Sequence, residues 1–214
     1  SLVDLAEALE KSQQLVSALI VLREAIALDP RNVDVLLALA YQYEHHGMSE
    51  NSIVLLQRLL ELEPRSEEGR LRLAMAEARV ERKDNAVRLL RSLVEDASTP
   101  WILAVASQEL AGYLLDHDRV DEAVEILDTA VKKLPDTQRL YIQLAYALDR
   151  AGNRGQASEV ADRLPPASNR DSPRRLYRLP AMQGGRDSRA ALTRHATARL
   201  PILVAALGAA GQDK

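Results

Sequence analysis

The sequence predicts an all-α fold of stacked helix–turn–helix repeats, and three observations lead there. The first is composition: apolar residues make up 47% of the 214, aromatics only 3%, and phenylalanine is absent. A core of Leu, Ala, Val and Ile suits closely packed helices, because Ala and Leu are strong helix formers. Strands lean on β-branched and aromatic residues instead. The second is a period. Prolines close the short segments IALDP (Pro30), LELEP (Pro64), DASTP (Pro100) and VKKLP (Pro135), at spacings of 34, 36 and 35 residues. The third is that each interval holds two helix-length stretches with apolar residues at helical spacing. In residues 36–64 the two stretches are broken at Gly47.

Taken in order, the first interval carries Leu2, Leu5, Ala6, Leu9, Ala18, Leu22, Ala25 and Pro30. The second carries Leu36, Leu39, Ala40, Tyr43, Gly47, Ser52, Leu56, Leu59 and Pro64. In the third, Leu73, Ala74, Ala86, Leu90 and Leu93 hold the pattern, but Arg70 and Glu77 stand where large apolar residues are usual. That interval is also two residues too long, so looser packing or a bend is expected around Ser98–Trp101. The fourth has Leu110, Ala111, Leu114, Ala123, Leu127, Ala130 and Pro135; the fifth has Leu144, Ala145, Leu148, Gly152, Ala157 and Ala161.

These residues resemble the tetratricopeptide repeat, a helix–turn–helix of about 34 residues with a proline near its end. The resemblance covers residues 1 to about 164 and implies a right-handed α-solenoid of about five repeats. Ala40 and Ser52 are then small because the two helices of a repeat approach closely there, while Tyr43 and Leu56 fill the wider space on either side. Gly47 turns the backbone without a Cβ penalty. One repeat cannot bury its apolar face alone, so neighbours must stack.

The resemblance further implies a concave wall lined by the first helix of each repeat, which holds a peptide or helix of a partner. In that register the partner-binding residues are Asp34, Leu37, Tyr41, Glu44, His45, Leu71, Met75, Arg79, Gln108, Asp116, Ile142, Tyr146 and Arg150, with Glu7 and Gly112 at equivalent places. A subgroup of the family clamps a C-terminal carboxylate with Lys and Asn in its first repeats. Val3 and Glu7 stand at two of those positions here, which argues against such a clamp.

No chemistry stands out. Without cysteine there is neither a disulfide nor a thiolate metal site. His45 and His46 are adjacent, whereas helical zinc ligands sit at i and i+4, so both read as solvated residues at a helix end. His117 occupies the equivalent turn of the fourth repeat. Glu67/Glu68 and Asp121/Glu122 read as helix-start acids that suit the helix dipole. MQGGRDS has two glycines but no strand–helix context for a phosphate loop, and no catalytic constellation or cofactor site is expected.

Charge divides the chain. Residues 1–164 hold 19 Lys+Arg against 28 Asp+Glu, a balance of −9; residues 165–214 hold 9 against 3, a balance of +6. Residues 165–187 read as a basic Pro/Arg/Gly-rich connector and 188–214 as a C-terminal helical segment, with Ser188 a cap and Pro201 a kink or boundary. PILVAALGAA is apolar but too short to span a bilayer. It is expected to cap the last repeat or lie in the groove. The alternatives are docking on another copy or another protein, or contact of the tail arginines (Arg170 to Arg199) with nucleic acid or an anionic surface.

The expected function is a non-catalytic scaffold or adaptor for a protein segment. The alternative is an accessory module of a larger enzyme or of a secretion or envelope assembly machine, and nucleic-acid association through the tail comes third. Twenty-three Arg against 5 Lys suits a GC-rich bacterial genome. The N-terminus lacks a signal-peptide layout, and a cytoplasmic protein is favoured; the missing Met leaves a periplasmic one open if Ser1 is a processed end.

Overall fold

Helix-forming stretches and their turn residues set the architecture. The computed structural model describes Asp4, Ala6 and residues 15–165. Among these are nine helices: α1 (Leu15–Leu28), α2 (Val33–His45), α3 (Ser49–Leu62), α4 (Glu67–Arg79), α5 (Lys83–Asp96), α6 (Pro100–Asp116), α7 (Val120–Lys133), α8 (Gln138–Arg150) and α9 (Arg154–Asp162). The fold class is the expected all-α solenoid of helix–turn–helix repeats. The second, third, fourth and fifth repeats are α2–α3, α4–α5, α6–α7 and α8–α9; α1 is the second helix of the first. The connector and C-terminal segment foreseen for residues after 165, and the positions Val3 and Glu7, lie outside the described residues.

Local signals start the helices where the sequence puts them. Asn32 caps α2 by accepting from Val35 N at 3.1 Å, and Ser66 caps α4 by accepting from Gly69 N at 3.2 Å. Pro100 opens α6 at its first positions, where a missing N–H costs nothing. Glu67 and Glu68 lie in the first turn of α4, and Asp121 and Glu122 in that of α7.

One turn serves all four complete repeats. Gly47, Glu81, Asp118 and Gly152 adopt φ of 72°, 62°, 58° and 82°. In each case the next residue donates back across the helix end: Met48 to Tyr43 O, Arg82 to Glu77 O, Arg119 to Leu114 O and Asn153 to Leu148 O, at 2.8–2.9 Å. This is the left-handed helix terminus that satisfies otherwise orphaned carbonyls. Glycine adopts it freely, whereas Glu81 and Asp118 bear a Cβ penalty there.

The packing divides the chain into two units, one reaching to Leu93 and one starting at Val94. The division falls a few residues before Ser98–Trp101, where the sequence carries its extra length. That length is taken up in α6, which has 17 residues where α2, α4 and α8 have 13.

In the first unit α1 packs on α2, α2 on α3 and α3 on α4. Ala6, Ala18, Leu22, Ala25, Val35 and Leu39 form one buried cluster, with Tyr43 packed against it. Ala40, Ile53, Leu56, Leu73 and Ala76 form the next. Gly69 of α4 lies close against α3: a Cβ there would stand 2.6 Å from Leu59 Cδ2, so that side chain would have to shift. In the second unit α6 packs on α7, α7 on α8, α8 on α9, and α6 also touches α8.

The two misfit residues of the third repeat are accommodated by polar pairing. Arg70 reaches Ser92 Oγ with Nη1 at 3.4 Å. The buried Glu77 lies 3.5 Å from Arg82 Nη1. An unpaired buried charge would cost several kcal/mol, roughly 3–5.

Two glycines separate backbone need from helix propensity. Gly152 has open space around it but a positive φ, so Gly152→Ala is expected to destabilise by about 1 kcal/mol. Gly112 also has open space but sits inside α6, so Gly112→Ala is expected to stabilise by about 0.5–1 kcal/mol. Urea unfolding of the two variants should show opposite signs.

Candidate binding wall on the first helices

The first helix of each repeat positions the residues that the resemblance singles out. In the first unit these come from α2 and α4. Asp34, in the first turn of α2, is exposed; Leu37 and Tyr41 are half-buried, one and two turns on. His45 is exposed at the helix end, with its ring edge against Tyr41 at 4.3 Å between centroids. From α4, Leu71 and Met75 are fully buried, with 0% and 2% exposure, and Arg79 is half-buried. Leu71 and Met75 therefore fill the interior of the stack here rather than presenting surface.

Glu44 is the most constrained member. It is only 4% exposed, on α2. Ser52 of α3 donates its hydroxyl to Oε1 at 3.2 Å. Oε2 faces two guanidinium groups of α4: Arg72 Nη1 at 3.8 Å and Arg79 Nη1 at 3.9 Å. Arg72 is held in turn by Glu68, which accepts from Nε at 3.0 Å, and lies 4.9 Å from the Tyr41 ring centroid. The α2–α4 junction thus carries two cations and two carboxylates beside an aromatic face. Sequence periodicity places Glu44 and Arg79 in the register but gives no sign of Arg72, whose role follows from a helix buried on most of its faces.

Burial raises the Glu44 carboxyl above the ordinary range. Arg72, Arg79 and the Ser52 hydroxyl pull it down, and Glu68 adds to the rise. A carboxyl raised in the folded state contributes its stability below the unfolded value, about 4.3, and loses it as pH climbs through the folded one. Glu44→Gln removes that slope. Chemical denaturation at several pH values should show the stability difference moving against the wild type, in the variant's favour, as pH rises from below about 4.3 through the raised folded-state value.

In the second unit the corresponding residues come from α6 and α8. Gln108 and Gly112 are half-buried and Asp116 is exposed, all on α6; on α8, Ile142 and Tyr146 are half-buried. Arg150 bridges the two repeats, donating to Leu115 O at 3.1 Å and to Asp118 Oδ1 at 3.3 Å. It reaches back 35 residues, the same interval as Arg79 to Glu44. Register therefore makes these two arginines equivalent, each tying a repeat to the one before.

The histidines have structural settings. His117 is exposed, stacked on Tyr113 at 4.0 Å, and its Nδ1 donates to Tyr113 O at 2.8 Å. His46, expected in solvent, is half-buried instead; it forms the helix end, and its backbone N–H donates to Gln42 O at 3.1 Å. Among the described residues no group of His, Cys, Asp and Glu could hold a metal ion. None of their helices is long and apolar enough to cross a membrane.

Comparison with known proteins points one way. Tetratricopeptide-repeat family models match residues 21–53 and 114–177. Among solved structures, MamA is 21% identical with a TM-score of 0.64, over 74% of this chain and 91% of that one. YrrB, a TPR protein with an unusual peptide-binding site, is 17% identical with a TM-score of 0.58, over 76% of this chain and 82% of that one. A putative kinesin light chain from Podosopora anserina with nearly identical TPR-like repeats is 22% identical with a TM-score of 0.61, over 77% and 92%. No curated protein matches.

Proposed function

Since the chain belongs to the tetratricopeptide-repeat family, we propose that it is a non-catalytic scaffold whose first-helix wall holds a segment of another protein. The observation that carries this reading is a pair of equivalent positions. Leu37 and Tyr41 on α2, and Ile142 and Tyr146 on α8, are apolar or aromatic and remain half-buried. In each unit by itself, two large side chains left partly uncovered one turn apart suit spaced anchors of a helical or extended peptide. The fold's likeness to YrrB, itself a peptide-binding protein, supports the same reading.

Peptides selected from a display library on the full chain provide the test, with affinities measured by fluorescence anisotropy. Tyr41→Ala is expected to weaken peptides held by the first unit, and Tyr146→Ala those held by the second, each about tenfold or more, as loss of an aromatic anchor does. Arg58→Ala and Glu125→Ala, exposed on the second helices α3 and α7, are expected to leave binding unchanged. Binding that ignores both tyrosines and responds to the second-helix changes would overturn the assignment.

A further inference from the structure

We propose that the chain's own apolar run PILVAALGAA, residues 201–210, docks in cis on the face of the α8–α9 pair turned away from α7, drawn there by the charge of the second unit. The inference is independent of the wall reading. It starts at the end of the described array. α1 packs on α2, α3 on α4 and α7 on α8, so each of these second helices is covered by the first helix that follows. α9 packs on α8, and among the described helices none follows it. One register shows the consequence. Ala25, Leu59 and Ala130 hold equivalent places on α1, α3 and α7 and are all buried, whereas Leu164, 34 residues after Ala130, is half-buried. Three residues earlier, Leu22, Leu56 and Leu127 fill the layer; the fifth repeat has the shorter Ala161, with only Val160 and Leu164 as partly buried apolar neighbours.

Chain length, charge and hydropathy name the occupant. The described chain ends at Pro165, beside Leu164, and 35 residues separate that point from Pro201. A flexible linker of that length spans about 30 Å, ample for a face the length of nine-residue α9, about 14 Å. Laid as a helix, the ten-residue run would match it at about 15 Å. Tethering at such range gives an effective concentration on the order of millimolar, which a free partner seldom reaches. Charge selects the same unit. Residues 94–165 hold 7 Lys+Arg against 13 Asp+Glu, a balance of −6, while residues 1–93 hold 12 against 15, a balance of −3. The tail's +6 therefore equals the deficit of the second unit, and Glu159 and Asp162 stand exposed on α9 itself. Left in water, the run would be the kind of apolar patch that marks a contact.

The test is amide hydrogen exchange on the full chain, with the mass checked by light scattering. Residues 201–210 are expected to exchange about tenfold or more slowly than an unstructured peptide of the same sequence, in a monomer. Leu203→Asp should release that protection and speed exchange in α9 about tenfold, the effect of one buried leucine, while α2 and α3 stay unchanged. Raising NaCl from about 0.05 to 0.5 M should speed exchange of the tail by screening its attraction to the unit. Val160→Asp makes the reciprocal change on the face; should it unfold α9 by circular dichroism, Leu203→Asp reads the same contact without touching the array. The chain has no cysteine, so Glu159→Cys with Ala205→Cys can be joined by a short bis-maleimide. The cross-link should form within one chain and be lost with Leu203→Asp. Unprotected exchange of 201–210, an α9 that ignores Leu203→Asp, or a tail indifferent to salt overturns the proposal. So does a cross-link between two copies, which would assign the face to a neighbouring chain's tail.

Discussion

Everything in this chain depends on two helices being able to touch within each repeat. The small residues that the repeat pattern assigns to the crossings are all buried: Ala6 and Ala18, Ala40 and Ser52, Ala74 and Ala86, Ala111 and Ala123, and Ala145 and Ala157. A larger side chain at any of them would push the helices apart and leave the Leu residues on either side without partners. Close packing is what makes a one-methylene change felt. The turn follows from the same constraint, since only a left-handed residue brings the second helix back at so short a distance.

The third repeat shows how far that frame tolerates foreign side chains. Its α4 is polar in sequence yet buried on most of its faces. Arg70, Arg72 and Glu77 remain there because each finds a polar partner. Their stems supply hydrocarbon to the core while their heads pair. The result is a junction with hydrogen-bonding capacity, unlike the mostly aliphatic layers around it. Glu44 gains from that capacity but is still penalised for its burial. A carboxyl kept where burial penalises its charged form is the sort of local conflict expected at functional sites.

Much of the fold was legible beforehand because its signals are local. The 34-residue period, the small crossing residues and Gly47 each express a short-range need of the backbone or of two adjoining helices. Glu81 and Asp118 were less legible. Neither residue announces a left-handed conformation, and only the shared turn hydrogen bond reveals it. The extra length before the fourth repeat was visible in the proline spacing, but its absorption into a longer α6 was not.

The wall was legible as a register and not as a surface. By itself the sequence determined that an all-α array of tetratricopeptide repeats forms and which residues share the first-helix positions, because periodicity fixes a residue's place within its own repeat. Only the tertiary structure decided that Leu71 and Met75 are buried, that Arg79 and Arg150 reach back to the preceding repeat, and that Arg72 joins Glu44. Those outcomes depend on how one repeat is set against the next. That placement is fixed by the summed packing of residues some 35 positions apart, a distance over which a local pattern carries no information.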